Sequence, residues 1–396
     1  MTPREIVPGV FSVGAIDWDL RLFDELIPTP DGTSYNSYLI RGSEKTALID
    51  TVNPPKFGDL TTNLDRLGVE KIDYIIANHA EQDHSGSIPA MLERFQGAKV
   101  VTNAKCRDYL VDLLHISADQ VIVIDDGDTL ALGDKTLEFI IAPWVHWPET
   151  MLTYLQEDRI LFSCDFFGSH YATSSLYVPD EAVIYESAKR YYAEIMMPFR
   201  SSIKGHLAKL DSRDIAMIAP SHGPVYDRPA FIMDAYRDWT SDDVTNMVIL
   251  PYVSMHGSTQ MMVDHLVAAL MERGVHVQPF NLTKTDIGEL AKGLVDAATI
   301  VVGTPTLIFG PHPQAVYATY LANLLRPKTR YVSVIGSYGW GGKTVDTLAG
   351  MLDRLKVEII EPVYIKGAPG EEDFAALDRL ADAIRQKHVE AGIISP

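Results

Sequence analysis

Residues 78–86 read Asn78-His79-Ala80-Glu81-Gln82-Asp83-His84-Ser85-Gly86. Two imidazoles and two carboxylates fall together where a short apolar run, Asp73–Ala77, gives way to a helix expected over Ser87–Phe95. A strand end projects side chains into a shared cavity, and groups at this spacing can surround one or two cations without much backbone rearrangement. A single His or Asp at such a junction is usually a cap or a hydrogen-bond partner. Four of them without a cation would have to settle their charges by pKa shifts. The cluster therefore reads as a metal site.

Three later residues have the same placement: His146 in Pro143-Trp144-Val145-His146-Trp147-Pro148, Asp165 in Leu161-Phe162-Ser163-Cys164-Asp165, and His222 in Ala219-Pro220-Ser221-His222-Gly223. Each is a weak signal alone, since a strand-end His more often bonds a backbone carbonyl. Their recurrence at strand ends is the stronger one.

A second group of loops lies in the carboxy-terminal half. Ser254-Met255-His256-Gly257-Ser258-Thr259 follows an apolar strand and opens a helix. Hydroxyls and backbone N–H groups at a helix N-terminus make a phosphate cradle, although a simple Ser/Thr cap would look alike. Thr304-Pro305-Thr306-Leu307-Ile308-Phe309-Gly310 and Ser337-Tyr338-Gly339-Trp340-Gly341-Gly342 follow later strands. Their glycines admit a planar ring, and Tyr338 or Trp340 could stack on it. Gly341-Gly342-Lys343-Thr344 resembles the end of a P-loop, but Ser337 stands where that pattern needs Gly, and the segment follows the fourth strand of its domain.

The elements that must position these groups fall into two rhythms. In the first half, short strands alternate irregularly with helices: Tyr35–Ile40 pairs with Lys45–Thr51 about Gly42-Ser43-Glu44, and further strands are expected at Lys99–Thr102, Val121–Ile124, Thr136–Ile141, Met151–Gln156 and Ile160–Ser163. Helical spacing covers Glu181–Met197 and Arg228–Trp239, and the polar segment Asp238–Asn246 then marks a boundary. From Met247, strands at Met247–Val253, Val275–Phe280, Thr299–Thr304, Arg330–Gly336 and Val357–Ile360 alternate with helices. Such β-α alternation implies a doubly wound parallel sheet.

The order H-x-[EH]-x-D-H, then His, Asp and His resembles the metallo-β-lactamase superfamily. Its hydrolases mostly carry His where this chain has Glu81. A carboxylate there makes the site harder and more negative, which suits iron better than a histidine-rich zinc pocket does. With the flavodoxin-like half, and with Gly32–Leu39, His146-Trp147-Pro148 and Tyr191-Tyr192-Ala193, the chain resembles the flavodiiron family over essentially its whole length.

That resemblance implies an α/β protein with a metallo-β-lactamase-like αββα sandwich at residues 1–245 and a flavodoxin-like FMN-binding domain at residues 246–396. It implies that His79, Glu81 and His146 bind one iron, that Asp83, His84 and His222 bind the other, and that Asp165 bridges them. His170 and Tyr192 match positions near the family's active site, though His170 reads equally as a satisfied core histidine. Some members carry a pocket His near the start of the chain, where this one has Phe23-Asp24-Glu25.

The implied activity is reduction of dioxygen to water, of nitric oxide to nitrous oxide, or of both. The assembly it implies is a head-to-tail homodimer, or a dimer of such dimers. No rubredoxin-like CxxC module follows the flavin loops, so the donor is expected to be separate: a rubredoxin-like protein or a reduced deazaflavin cofactor. The competing readings are a dinuclear zinc hydrolase of the thioesterase or glyoxalase type with an appended flavodoxin-like module, and a non-enzymatic electron-transfer protein without metal.

Bulk properties agree with this frame. A chain of 396 residues is long for one core and predicts two domains. A formal charge of −19 argues against nucleic acid and anionic membrane as partners. No apolar run approaches the roughly 20 residues that span a bilayer. Two cysteines, Cys106 and Cys164, and a start without signal-peptide character fit a reducing cytoplasm.

Overall fold

The computed structural model describes residues 2–395. The chain separates into two compact units, one reaching to Tyr192 and resuming at Phe199–Thr240, the other comprising Ala193–Pro198 and the residues from Ser241 onward. The sequence reading sets the division at 245/246.

The first unit is built on two sheets. One has seven strands in the order Arg4–Val7, Val10–Ser12, Tyr38–Arg41, Thr46–Ile49, Tyr74–Ile76, Lys99–Asn103 and Val121–Ile124. The other has five: Thr129–Ala131, Thr136–Ile141, Met151–Leu155, Ile160–Cys164 and Met217–Pro220. Side chains alternate across a strand, and the two faces are divided accordingly. Tyr38, Ile40, Ile49, Ile76 and Val101 pack with Leu137, Phe139, Met151 and Phe162 of the second sheet, forming the sandwich core. Their neighbours Leu39, Leu48, Ile75 and Val100 face the other way, onto Leu60 and Leu64 of helix Phe57–Arg66 and Cys106 and Leu110 of helix Ala104–Leu114. Each strand is apolar on both faces because both faces are covered.

Asn78 ties the sheets together just before the metal-type cluster. Its backbone N–H and side-chain amide donate to the two Asp50 carboxylate oxygens at 2.8 and 2.9 Å, and its amide oxygen accepts from Thr153 at 2.7 Å.

The second unit is a parallel sheet in the order His276–Asn281, Thr245–Tyr252, Ala297–Gly303, Tyr331–Tyr338, then an edge in two pieces, Glu358–Ile359 and Val363–Lys366. The strand order 2-1-3-4-5 is the flavodoxin-like one, with its switch point between the first and third strands. Two features differ from expectation. The closing strand is broken at Ile360–Pro362 rather than continuous over Val357–Ile360, and a long helix, Glu371–Glu390, packs Leu377, Leu380 and Ile384 into the core. Proline has no N–H for a ladder, which accounts for the break at Pro362.

Candidate metal centre and flavin-binding loops

The cluster residues of the first unit follow strands, with His146 in the loop five residues past Thr136–Ile141. Tyr74–Ile76 leads to His79 and Glu81, and a single helical turn, Gln82–Ser85, carries Asp83 and His84. Ile160–Cys164 leads to Asp165, and Met217–Pro220 to His222. Strand ends can hold side chains in fixed directions because the ladders behind them are rigid.

The seven predicted residues converge. His79, Glu81, His146 and Asp165 offer ligand atoms all within 4.8 Å of one another, and Asp83, His84 and His222 form a second such group. Asp165 reaches both. Its Oδ2 lies 3.4 Å from His146 Nε2 and 3.6 Å from His79 Nε2. Its Oδ1 lies 3.1 Å from His84 Nε2 and 3.4 Å from His222 Nε2. Glu81 Oε2 stands 3.1 Å from Nε2 of both His79 and His146.

Glu81 bonds His79 and His146, but other groups approach one another without satisfying one another. Both Asp83 oxygens, His84 Nε2 and Asp165 Oδ2 are buried and make no hydrogen bond. Buried polar atoms in native proteins nearly always have partners, so atoms converging in this way fit a cation between them. The charges agree. Burial lowers the His222 pKa, but Asp165 and Asp83 outweigh it and push it up to about 10. His146 is likewise pushed up to about 9 by Asp165 and Glu81 against burial. The carboxylates favour positive charge among the imidazoles, which a metal ion would supply with release of any imidazole protons. Mixed imidazole and carboxylate donors suit iron.

The far nitrogens of the rings are fixed as well. Glu149 accepts from His79 Nδ1 at 2.7 Å and from the Ala80 N–H at 3.1 Å. The carbonyl of Ser34 accepts from His222 Nδ1 at 2.7 Å. Each bond leaves Nε2 facing the cluster, the arrangement found in metal-binding histidines. Sequence reasoning missed Glu149. Its only signal was a carboxylate between Pro148 and a largely apolar strand, Met151–Leu155.

The two predicted catalytic residues lie differently. His170 stands beside the cluster and outside both ligand groups: its ring is 5.1 Å from that of His222, its Nδ1 is 2.9 Å from Thr33 Oγ1, and burial pushes its pKa well down. Tyr192 is placed differently. Its hydroxyl donates to the Trp239 carbonyl at 3.3 Å and its ring packs against Tyr236 and Trp239. The hydroxyl that reaches the centre belongs to Tyr191, which donates to Asp165 Oδ1 at 2.9 Å. Successive helical residues point about 100° apart, so only one of the pair can face the site. Asp24 sits in the exposed turn between Leu22–Phe23 and Ile27–Pro28. Partial burial, with the charges of Glu81, Asp83 and Asp165, raises its carboxyl to about 6.

In the second unit the three predicted loops lie at carboxyl ends of strands, and Ser337 and Tyr338 of the third are the last two residues of strand Tyr331–Tyr338. Ser254–Gly257 leads into helix Ser258–Glu272, whose first turn holds no acidic residue, and Ser254 Oγ accepts from the Gln260 N–H at 3.1 Å. A Cβ added at Gly257, Gly310, Gly339 or Gly341 would meet nothing within 4 Å, so these backbones are open to a ligand. Ile308, Phe309 and Trp340 are 65%, 70% and 67% exposed, a concentration of large apolar side chains on two of the loops. A helix N-terminus free of carboxylates, at the same end of the parallel sheet as loops with exposed rings, fits a phosphate joined to a flat apolar ring system.

Comparison with known proteins agrees with this geometry. Residues 33–223 match the model of the ODP family beta lactamase, and residues 250–377 match that of flavodoxin. The nitric oxide reductase of Moorella thermoacetica is 36% identical, over 94% of this chain and 95% of that protein. The solved rubredoxin oxygen:oxidoreductase of Desulfovibrio gigas covers 100% of both chains at 29% identity, with a TM-score of 0.95. The solved flavodiiron protein of Giardia intestinalis covers 98% of both at 28% identity, with a TM-score of 0.89.

Proposed function

The chain belongs to the flavodiiron family, and from that premise we propose that its seven converging side chains hold two irons and its three carboxy-terminal loops hold FMN. The protein is a flavodiiron reductase. Held there, FMN and the iron pair would supply the electron-transfer chemistry by which dioxygen is reduced to water, nitric oxide to nitrous oxide, or both.

The observation that carries this reading is the Asp165 carboxylate, with one oxygen directed to each histidine group. His79, Glu81 and His146 hold one iron, Asp83, His84 and His222 hold the second, and Asp165 bridges them. Glu149 and the Ser34 carbonyl set ring tautomers. Tyr191 restrains Asp165, and His170 sets the polarity beside His222. In the second unit, Ser254, Met255, His256, Gly257, Ser258 and Thr259 cradle the phosphate. The loops of Thr304, Pro305, Thr306, Ile308, Phe309 and Gly310, and of Ser337, Tyr338, Gly339, Trp340, Gly341 and Gly342, take the ring.

The two sites lie in separate compact units, and we propose the head-to-tail homodimer as the form in which flavin loops of one subunit face the metal cluster of another. The exposed Trp18, Trp144, Phe309 and Trp340 are the kind of surface such a dimer would cover. Electrons come from a separate donor, either a rubredoxin-like protein or a reduced deazaflavin. Among the described residues no helix is long and apolar enough to cross a membrane, and both cysteines are free and buried. A reducing cytoplasm accords with the latter.

Stopped-flow reoxidation of the anaerobically reduced protein by each gas tests the activity. Fast reoxidation by at least one gas is expected. Reoxidation no faster than that of free reduced FMN would refute it.

A further inference from the structure

The edge strand Val363–Lys366 lies outside all three flavin loops, yet its Tyr364 bonds the Thr304–Gly310 loop and lies parallel to Tyr338 of the Ser337–Gly342 loop, with Thr344 opening the helix just past that loop. Tyr364 Oη donates to the Thr304 carbonyl at 3.2 Å. Its single proton is then committed, so at 2.8 Å it accepts from Thr306 Oγ1. Thr306 Oγ1 in turn accepts from Thr344 Oγ1 at 2.8 Å. The Tyr364 ring lies 7° from parallel to that of Tyr338, with centroids 6.0 Å apart. The loops are also in close contact. A Cβ at Gly342 would meet Phe309 O at 2.8 Å and Thr306 Cγ2 at 3.0 Å, and one at Gly336 would meet Tyr364 Cε2 at 2.8 Å.

From this geometry we infer that Tyr364, Thr306 and Thr344 form a hydroxyl clasp that fixes the two ring-facing loops against each other, which makes Tyr364 a positioning residue for the flavin ring. The inference rests on the reading that these loops bind FMN. Preorganised loops spare a ligand the cost of ordering them. The clasp should therefore act on affinity for the ring and be indifferent to the phosphate, which lies with the separate Ser254–Thr259 loop.

That separation sets the test. Flavin-free protein is titrated with FMN and with riboflavin, following quenching of flavin fluorescence, for the wild type, Tyr364→Phe, Thr306→Val and Thr306→Ser. Tyr364→Phe and Thr306→Val should each weaken both flavins by the same factor, about five- to tenfold. Thr306→Ser keeps the hydroxyl and should bind as the wild type does. Unchanged affinities, a loss confined to FMN, or a Thr306→Ser protein as weak as Thr306→Val would overturn the clasp. A wild-type chain that binds neither flavin overturns the flavin reading and the clasp with it.

Discussion

Glu149 and His79 are joined by a 2.7 Å hydrogen bond between two fully buried side chains. Burial lowers the imidazole pKa, but this bond and that of Glu81 outweigh it and hold His79 well above its ordinary value. The carboxylate also accepts the Ala80 N–H, so it locks ring and backbone together. Glu149→Gln should keep the fold and lower iron affinity 10–100-fold, the usual cost of losing such a partner. Iron retained after a graded chelator challenge measures it.

Tyr191 and Tyr192 are adjacent and both buried, and the hydroxyl of the first bonds Asp165 while that of the second bonds the Trp239 carbonyl. Tyr191→Phe removes a hydrogen bond to a charged group, a loss of about 1.5–3 kcal/mol, and should weaken iron binding and alter the iron spectrum. Tyr192→Phe should leave both unchanged. The pair is compared by iron content and Mössbauer spectra of anaerobically reconstituted protein.

Much of the converging cluster was legible in sequence because its residues come in dense local spacing and near strand ends, where type and position alone carry information. The surrounding layer was not. Glu149 reaches His79 across seventy positions of sequence, and nothing local marks the pairing. The choice of Tyr191 over Tyr192 depends on which way a helix faces once packed, which two identical neighbours cannot reveal. In the second unit, β-α alternation gave the sheet, but Pro362 hid the short strand that carries Tyr364.

His388 gives a prediction independent of any cofactor. It is buried between Thr299 Oγ1 and Asn246 Oδ1, each 2.8 Å from a ring nitrogen, and burial pushes its pKa down to about 4. The unfolded chain takes up this proton as pH falls below its ordinary value of 6.5, while the folded chain resists until about 4. The unfolded state thus binds more protons across that window. The contribution of His388 to stability is whole above the window and is lost as pH falls through it. Thermal unfolding midpoints of wild type should drop between those pH values. His388→Gln should show a flatter profile over the same range.

Asp165→Ala removes the one carboxylate that reaches both histidine groups. The most direct measurement is metal and flavin content of this variant beside the wild type, both reconstituted anaerobically with ferrous iron and FMN in the presence of competing zinc. The wild type should hold two irons and one FMN per chain. The variant should lose the iron pair and its reoxidation by gas while keeping FMN. Two zincs in place of iron in the wild type, or an intact iron pair in the variant, would contradict the di-iron assignment.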